Sequence, residues 1–490
     1  MRSWLLPRLG QILFISIFAG CLLLGPRMLN TDGDLGRHLT LGAYMLDTRS
    51  VPSSDILSFT KPGHARPPYE WIAQIVLTLA YRLLDLDGVV LLVSVAIAAA
   101  FLVVYLDGVE RSRAPLLAAL VVTWAAMASS LHWLTRPHVF SFVLFAVWIR
   151  SLERLRTRRT AAVWQFPLLM LLWANTHGGF VLGIAAWIAY MAGWTWQAWR
   201  GAADKTLGSE FLLVGAASLV ASAVTPDAWH NWDAVLQNHS AFILARTVET
   251  RALDVLSPSV WPFVTLLSTC LLLLPVVSKR LVPAHAFLLA GLGAASWSIT
   301  RNIPYFALAA APILIEWLST SVPTRSRWLG LERALTMIEA GARGIVLPCM
   351  AVLVALGSMS LHRTQTGSSM FPFSSTFFPV AAANWIGQHP PKGNMLNDVN
   401  WGGYLLFRLW PGQRVFMDSQ SDFYGEELSR QYEQLIAGRG TWRESLTQYR
   451  IGWVIVPASS GLAANLAREP SWKIMYEDST ARILARAPSP

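Results

Sequence analysis

Charge is what this sequence has least of. Asp, Glu, Lys and Arg make up 14% of its 490 residues, while 54% are hydrophobic; an ordinary soluble protein is about 25% charged. A chain this apolar cannot cover itself with a water-compatible surface, so a polytopic membrane protein is expected. Acidic residues are scarcer than basic ones, 29 against 39, for a net charge of +10. The arginines cluster in short loops between apolar runs, where they orient helices in a bilayer, and nucleic acid is excluded as a partner. Cysteine is nearly absent. Cys21, Cys270 and Cys349 each lie within an apolar run, without the spacing of a disulfide framework or a zinc site. No internal repeat or low-complexity segment stands out. No small-residue cleavage site precedes Asn30, so residues 1–29 are expected as a retained first helix rather than a signal peptide.

What is present is a series of apolar runs long enough to span a bilayer. Residues 69–84 are too short for this and are read as a helix lying on the membrane surface, which leaves about 11 spans. These fall near 11–29, 88–106, 115–132, 138–152, 162–175, 179–198, 209–225, 259–277, 283–299, 303–319 and 344–361. That arrangement puts Arg111, Arg150, Arg154, Arg200, Lys279 and Arg325 on one side, the cytoplasmic side by the positive-inside rule. The opposite side receives the polar clusters that packing does not explain. The expected fold class is therefore mainly α. A transmembrane domain covers residues 1–363, its first extracytoplasmic loop (30–87) carries interfacial helices, and an extracytoplasmic α/β domain covers 364–490. In that last domain helices are expected at 379–389, 426–437 and 442–449, and strands at 414–417, 453–456 and 481–484.

The candidate site is the stretch 30–71. Asp32, Asp34 and His38 follow the first apolar run within seven residues. A carboxylate at the membrane surface can deprotonate an acceptor hydroxyl or amine. Two aspartates this close also have the ligand chemistry for a divalent cation, Mg or Mn, that would neutralise a departing phosphate; simple loop capping is the alternative. Arg136, His138, His177 and Arg301 each stand at the extracytoplasmic end of a span. Arginine there either snorkels to headgroups or grips an anion with its forked donors. Several such side chains on the same face as two aspartates suggest a phosphate pocket. Asn175 and His177 interrupt an otherwise apolar stretch just before two glycines, and Asp418, Asp422 and Tyr424 follow the expected strand 414–417, where α/β domains present ligand contacts; turn capping explains the two aspartates as well.

As a set, these residues resemble the GT-C glycosyltransferases, membrane proteins that take sugar from a polyprenyl-phosphate carrier, and more narrowly a bacterial branch of them. The matching pattern is Asp32-x-Asp34-Leu35-x-x-His38, Gly42, Val51-Pro52-x-x-Asp55-x-x-Ser58-Phe59-Thr60 and Glu70-Trp71. It continues with Arg136-Pro137-His138, Trp173-Ala174-Asn175-x-His177-Gly178-Gly179, Trp401-Gly402-Gly403-Tyr404, Val415-Phe416-Met417-Asp418 and Asp422-x-Tyr424-Gly425. The chain departs from that pattern at Gly36-Arg37, where relatives carry aromatics, and at Ser419-Gln420, where they carry Gly-Arg. The resemblance implies inverting sugar transfer at the extracytoplasmic face of a bacterial cytoplasmic membrane. Asp32 or Asp34 would be the base, and Glu70, the histidines and the arginines would contact substrate. The partners would be a polyprenyl-phosphate-linked sugar, membrane lipid and an acceptor of unspecified class. A transporter or flippase for lipid-linked saccharides would need the same phosphate-binding arginines but no base, and a non-catalytic assembly subunit that kept the fold is a further alternative.

Overall fold

Each expected span contains an α-helix in the computed structural model, which describes residues 6–66, 69–159, 162–236, 240–246, 252–321, 327–340, 344 and 346–487. Five helical stretches of the described residues are long and apolar enough to cross a membrane by themselves: Trp71–Ser112, Pro115–His132, Pro258–Arg280, Thr300–Ser321 and Val346–Thr366. These five coincide with five of the about 11 expected spans; Phe180–Trp199, at 20 residues and without a charge, is as long, and the helices at the remaining expected spans are shorter or carry charges. The chain is a multi-pass helical membrane protein with a small sheet domain at its C-terminal end. Exposed Leu272, Val276, Val220 and Leu213 on these helices are the side chains a lipid environment would cover.

The longest helix, Trp71–Ser112, is broken where the short surface helix was expected to end. Leu84 leaves helical geometry and Asp85 takes φ 61° and ψ −150°, a backbone conformation that L residues rarely adopt. The limb before the break lies against the helix Asp34–Thr48. Thr78 donates to the Leu39 carbonyl at 3.3 Å, and Gln74 Nε2 stands 3.3 Å from His38 Nδ1. At the far end of the bundle, Glu153 gathers Arg156 (2.6 Å), His285 (3.0 Å) and the Tyr190 hydroxyl (3.0 Å), while Asp107 pairs with Arg111 at 2.5 Å. This buried network ties together four helices at a distance of roughly 22 Å from His138, taking ~1.5 Å per helical residue.

The sheet is β1 (Asn394–Asn397), β2 (Ile451–Pro457), β3 (Trp472–Glu477) and β4 (Ala481–Arg486), in the order β1-β2-β4-β3. β1 and β2 are parallel, with helices Gly402–Leu409, Ser421–Ile436 and Trp442–Gln448 between them in sequence, and the remaining pairings are antiparallel. Alternation along β2 serves two cores. Trp453 and Ile455 face helices Val380–Gln388 and Gly402–Leu409, and Val454 and Val456 face Ser421–Ile436 and Trp442–Gln448. The first of these cores also takes in Leu41, Met45 and Leu57 from the first loop, so loop and sheet domain share one interior.

The expected strand at 414–417 is not part of the sheet. Val415, Phe416 and Met417 are buried, but Val415 pairs only through an isolated bridge to Ser58 of the first loop. Burial on all sides gave this run the apolar look of a central strand. In its place stand β1, whose ends are asparagines, and the edge strand β3, which is largely exposed.

Candidate active site

Three residues on one face of helix Asp34–Thr48 open the site. Asp34, Arg37 and His38 stand at i, i+3 and i+4, the spacing that stacks side chains on a helix, and all three are buried. Asp32 sits just before them, its Oδ1 accepting from the Asp34 backbone N–H at 3.1 Å. Arg136 then spans both aspartates, with Nη1 2.8 Å from Asp32 Oδ2 and Nη2 2.5 Å from Asp34 Oδ2. Asp34 also pairs with Arg37 at 3.2 Å and accepts from the Ser419 hydroxyl. Burial pushes the Asp34 carboxyl up, yet Arg136, Arg37 and the Ser419 hydrogen bond outweigh it and hold the group far below the usual carboxylate range.

Backbone contact fixes this helix against the sheet domain. A Cβ on Gly36 would lie 2.2 Å from the Gly403 carbonyl oxygen, and a Cβ on Gly403 would lie 2.1 Å from that of Gly33. Only glycine permits such an approach. The Trp401-Gly402-Gly403-Tyr404 motif therefore carries a docking surface for the acidic loop.

A second network completes the junction. Arg66 reaches Asp55 (2.7 Å), Asp418 (3.0 Å) and the side-chain Oε1 of Gln420 (2.6 Å) and lies over the Phe423 ring at 4.5 Å. Asp418 further accepts from the Tyr424 hydroxyl at 3.2 Å, and Asp55 caps Ser58 through both its hydroxyl and its N–H. Arg37 touches Gln420 at 3.3 Å. A cavity of about 30 Å³, room for a water or two, lies among Arg37, Arg66, Tyr69, Glu70, Gln74 and Gln420.

Glu70 faces two histidines, with Oε2 3.7 Å from His38 Nδ1 and Oε1 3.8 Å from His177 Nε2. The Gly179 N–H points at His177 Nδ1 from 2.9 Å, and the Ser141 hydroxyl lies equally close. A neutral ring accepting there carries its proton on Nε2, toward Glu70. Burial lowers the pKa of both His38 and His177 well below the usual range, helped by Arg37 in the first case and by His138, Arg301 and Arg136 in the second.

Of the residues expected at the site, Asp32, Asp34, His38, Glu70, Arg136 and His177 are thus brought together. His138 turns its Nε2 to the His132 carbonyl at 2.8 Å, its ring 6.3 Å from that of His177. Asn175 has its carboxamide fully engaged, accepting from Trp71 Nε1 at 2.8 Å and donating to the Leu171 and Val224 carbonyls at 2.9 Å each. It anchors the residue next to Glu70. Arg301 is exposed, forms no ion pair among the described residues, and lies close enough for its charge to bear on Tyr69, Glu70 and His177. Asp418 and Tyr424 belong to the buried junction, whereas Asp422 is exposed near Tyr69. Arg37, Arg66 and Ser419 were not among the expected site residues. The signal for Arg37 was its i+3 spacing from Asp34; Arg66 and Ser419 meet partners more than 350 residues away in sequence.

Beside Glu70, an apolar groove of about 480 Å³ runs along Trp71, Ile72, Leu168, Leu171, Leu172 and Val224. Its shape and lining suit a hydrocarbon chain lying next to a polar site.

No protein-family model and no curated protein matches this sequence. Solved structures do match. The oligosaccharyltransferase of Archaeoglobus fulgidus in its apo form superposes with a TM-score of 0.59 at 12% identity, over 90% of this chain and 69% of that one. The chain has the GT-C glycosyltransferase fold. AglB of the same organism, in complex with an inhibitory peptide and a dolichol-phosphate, gives 0.56 at 10% identity over 91% and 69%. ArnT from Cupriavidus metallidurans in the apo state gives 0.51 at 13% identity over 97% of both chains. At such identities the likeness establishes the GT-C architecture, and the chemistry has to be argued from the residues described above.

Proposed function

We propose that this protein transfers a sugar from a polyprenyl-phosphate carrier to an acceptor at the membrane surface, with inversion at the anomeric carbon. The observation that carries the reading is the apolar groove whose lining begins at Trp71, next to Glu70, together with Arg301, an exposed guanidinium without a carboxylate partner among the described residues whose charge bears on Glu70 and His177. A hydrocarbon tail fits the groove while its phosphate meets Arg301. The dolichol-phosphate in the AglB complex supports such a ligand for this fold. Asp32, the less buried aspartate, accepts the acceptor's proton. Asp34 is held by its ion pairs and keeps Arg136 in place. With Arg136 forked across both carboxylates, the pair does not fit a divalent cation, and the positive charge such an ion would bring is already there.

Identifying the lipid that co-purifies with the protein by mass spectrometry tests the reading directly. Arg301→Lys keeps the charge and loses the fork, so retained lipid-linked donor should fall by roughly tenfold or more, the equivalent of one charged hydrogen bond at about 1.5–3 kcal/mol. Undiminished donor would mean that Arg301 only anchors its helix to headgroups.

In this reading the site and the sheet domain face outward from a bacterial cytoplasmic membrane, with the arginine-rich loops inside. In a background carrying Cys349→Ser, the native exposed cysteine, Arg439→Cys should react with an impermeant thiol reagent in intact cells. Arg159→Cys should react only after permeabilisation. The opposite pattern would invert the arrangement.

A further inference from the structure

Asp34, buried, and Glu70, whose side chain is 14% exposed, are carboxyl groups in one site, and their surroundings differ in kind. Asp34 is enclosed by Arg136, Arg37 and the Ser419 hydroxyl. Glu70 is enclosed by two imidazoles, with no guanidinium in ion-pair contact among the described residues. Its carboxyl borders the water-sized cavity on one side, and the next residues, Trp71 and Ile72, line the apolar groove on the other. A phosphate held by Arg301, whose charge bears on Glu70, would come up against that carboxyl. Two anions in such a buried place repel strongly. One of them has to be neutral.

We propose that Glu70 meets the carrier phosphate as a carboxylic acid, and that it gives its proton to the phosphate oxygen as the bond to the sugar breaks. This rests on the transferase reading above and assigns the acid of the reaction. The acceptor O–H proton passes to Asp32, the acceptor oxygen forms its bond to the anomeric carbon, and the anomeric C–O bond to phosphate breaks with its electron pair staying on the phosphate oxygen. That oxygen takes the Glu70 proton, leaving polyprenyl phosphate and a Glu70 carboxylate. One proton is accepted and one donated, so the step balances. The two carboxyl groups then exchange protons with solvent to reset.

Burial raises the Glu70 pKa first and Asp34 adds to it; Arg37, Arg136 and Arg301 pull the other way without prevailing. His38 and His177 do not contribute positive charge, because burial keeps both neutral. Tyr69, whose own pKa is raised by burial, is neutral as well. Titratable groups whose environments drive their pKa values apart mark the acid and the base of a site.

The test uses the full-length protein in detergent and a short-chain polyprenyl monophosphate without sugar, with binding followed by calorimetry from neutral to alkaline pH. Above the Glu70 pKa, wild-type affinity should fall about tenfold for each added pH unit, on top of the phosphate's own titration. Glu70→Gln cannot ionise and should lose this extra slope; Glu70→Asp should keep it. Glu70→Leu serves for Gln if that variant does not fold. In the sugar-transfer assay, Glu70→Gln should also be about 10²–10⁴-fold slower. If wild type and Glu70→Gln bind with the same pH dependence, the acid role is overturned while the carrier reading stands. If wild type binds no polyprenyl phosphate, both fall.

Discussion

Replacing Asp32 by asparagine should lower sugar transfer by about 10²–10⁴-fold, the usual worth of a general base, while the protein still folds and keeps its lipid-linked donor. Asparagine preserves size and hydrogen bonding, and Asp32 is only partly buried, so the loss falls on proton acceptance when the acceptor attacks. Asp34→Asn should behave differently. Asp34 is 4% exposed and is the counter-charge of both Arg136 and Arg37, and breaking a buried pair by removing one partner costs about 3–5 kcal/mol. The Asp34 variant should therefore lose both stability and transfer. Transfer rates and thermal unfolding, measured on the same preparations, separate the two residues. If Asp32→Asn and Asp34→Asn both transfer at the wild-type rate, the loop is not catalytic and a flippase or assembly subunit becomes the better account.

Arg66→Leu should be among the most destabilising single changes outside the transmembrane bundle. It would leave Asp55 and Asp418, whose side chains are fully buried, without their cation, again at about 3–5 kcal/mol. The damage should be local to the junction between first loop and sheet domain. Limited proteolysis should detect it as new cleavage between the helical bundle and residues 394–487, together with a lower unfolding temperature. Arg66→Lys keeps one charge but cannot reach Asp55, Asp418 and Gln420 together, so it should fall between wild type and Leu. An unfolding temperature and cleavage pattern unchanged in Arg66→Leu would show that the junction is held by apolar packing and the glycine contacts alone.

These residues also show how far the sequence could be read. Asp32, Asp34 and His38 were visible because helical spacing is local: residues three and four apart share a face whatever the rest of the chain does. The helices of the bundle were visible for the same reason, since an apolar run of sufficient length has few alternatives. The break at Leu84–Asp85 was visible as a run too short to span. Arg66, Ser419 and Gln420 were not, because their meaning lies in partners brought close only by the fold. The run 414–417 misled for a physical reason. Burial selects apolar residues whether a segment sits inside a sheet or is sandwiched between a loop and a helix, and periodicity cannot tell the two apart. β1 escaped notice because its asparagines serve the fold through their side chains, Asn397 bonding the Phe416 N–H and the Met417 carbonyl.

The contact between Asp34 and Ser419 spans 385 residues of sequence. On a ribosome adding about 5–20 residues per second, roughly 20–80 s pass between synthesis of the acidic loop and arrival of the segment that closes it. During that interval Asp34 and Arg37 lack Ser419 and Gln420, Arg66 lacks Asp418, and Gly36 has no Gly403 to rest on. The helical bundle can insert into the membrane in the meantime, but the face of its acidic loop that later meets the sheet domain stays open to water. Assembly of the site therefore waits for residues 402–420, and a chain interrupted before residue 402 would hold a membrane domain whose acidic loop has nothing to close against.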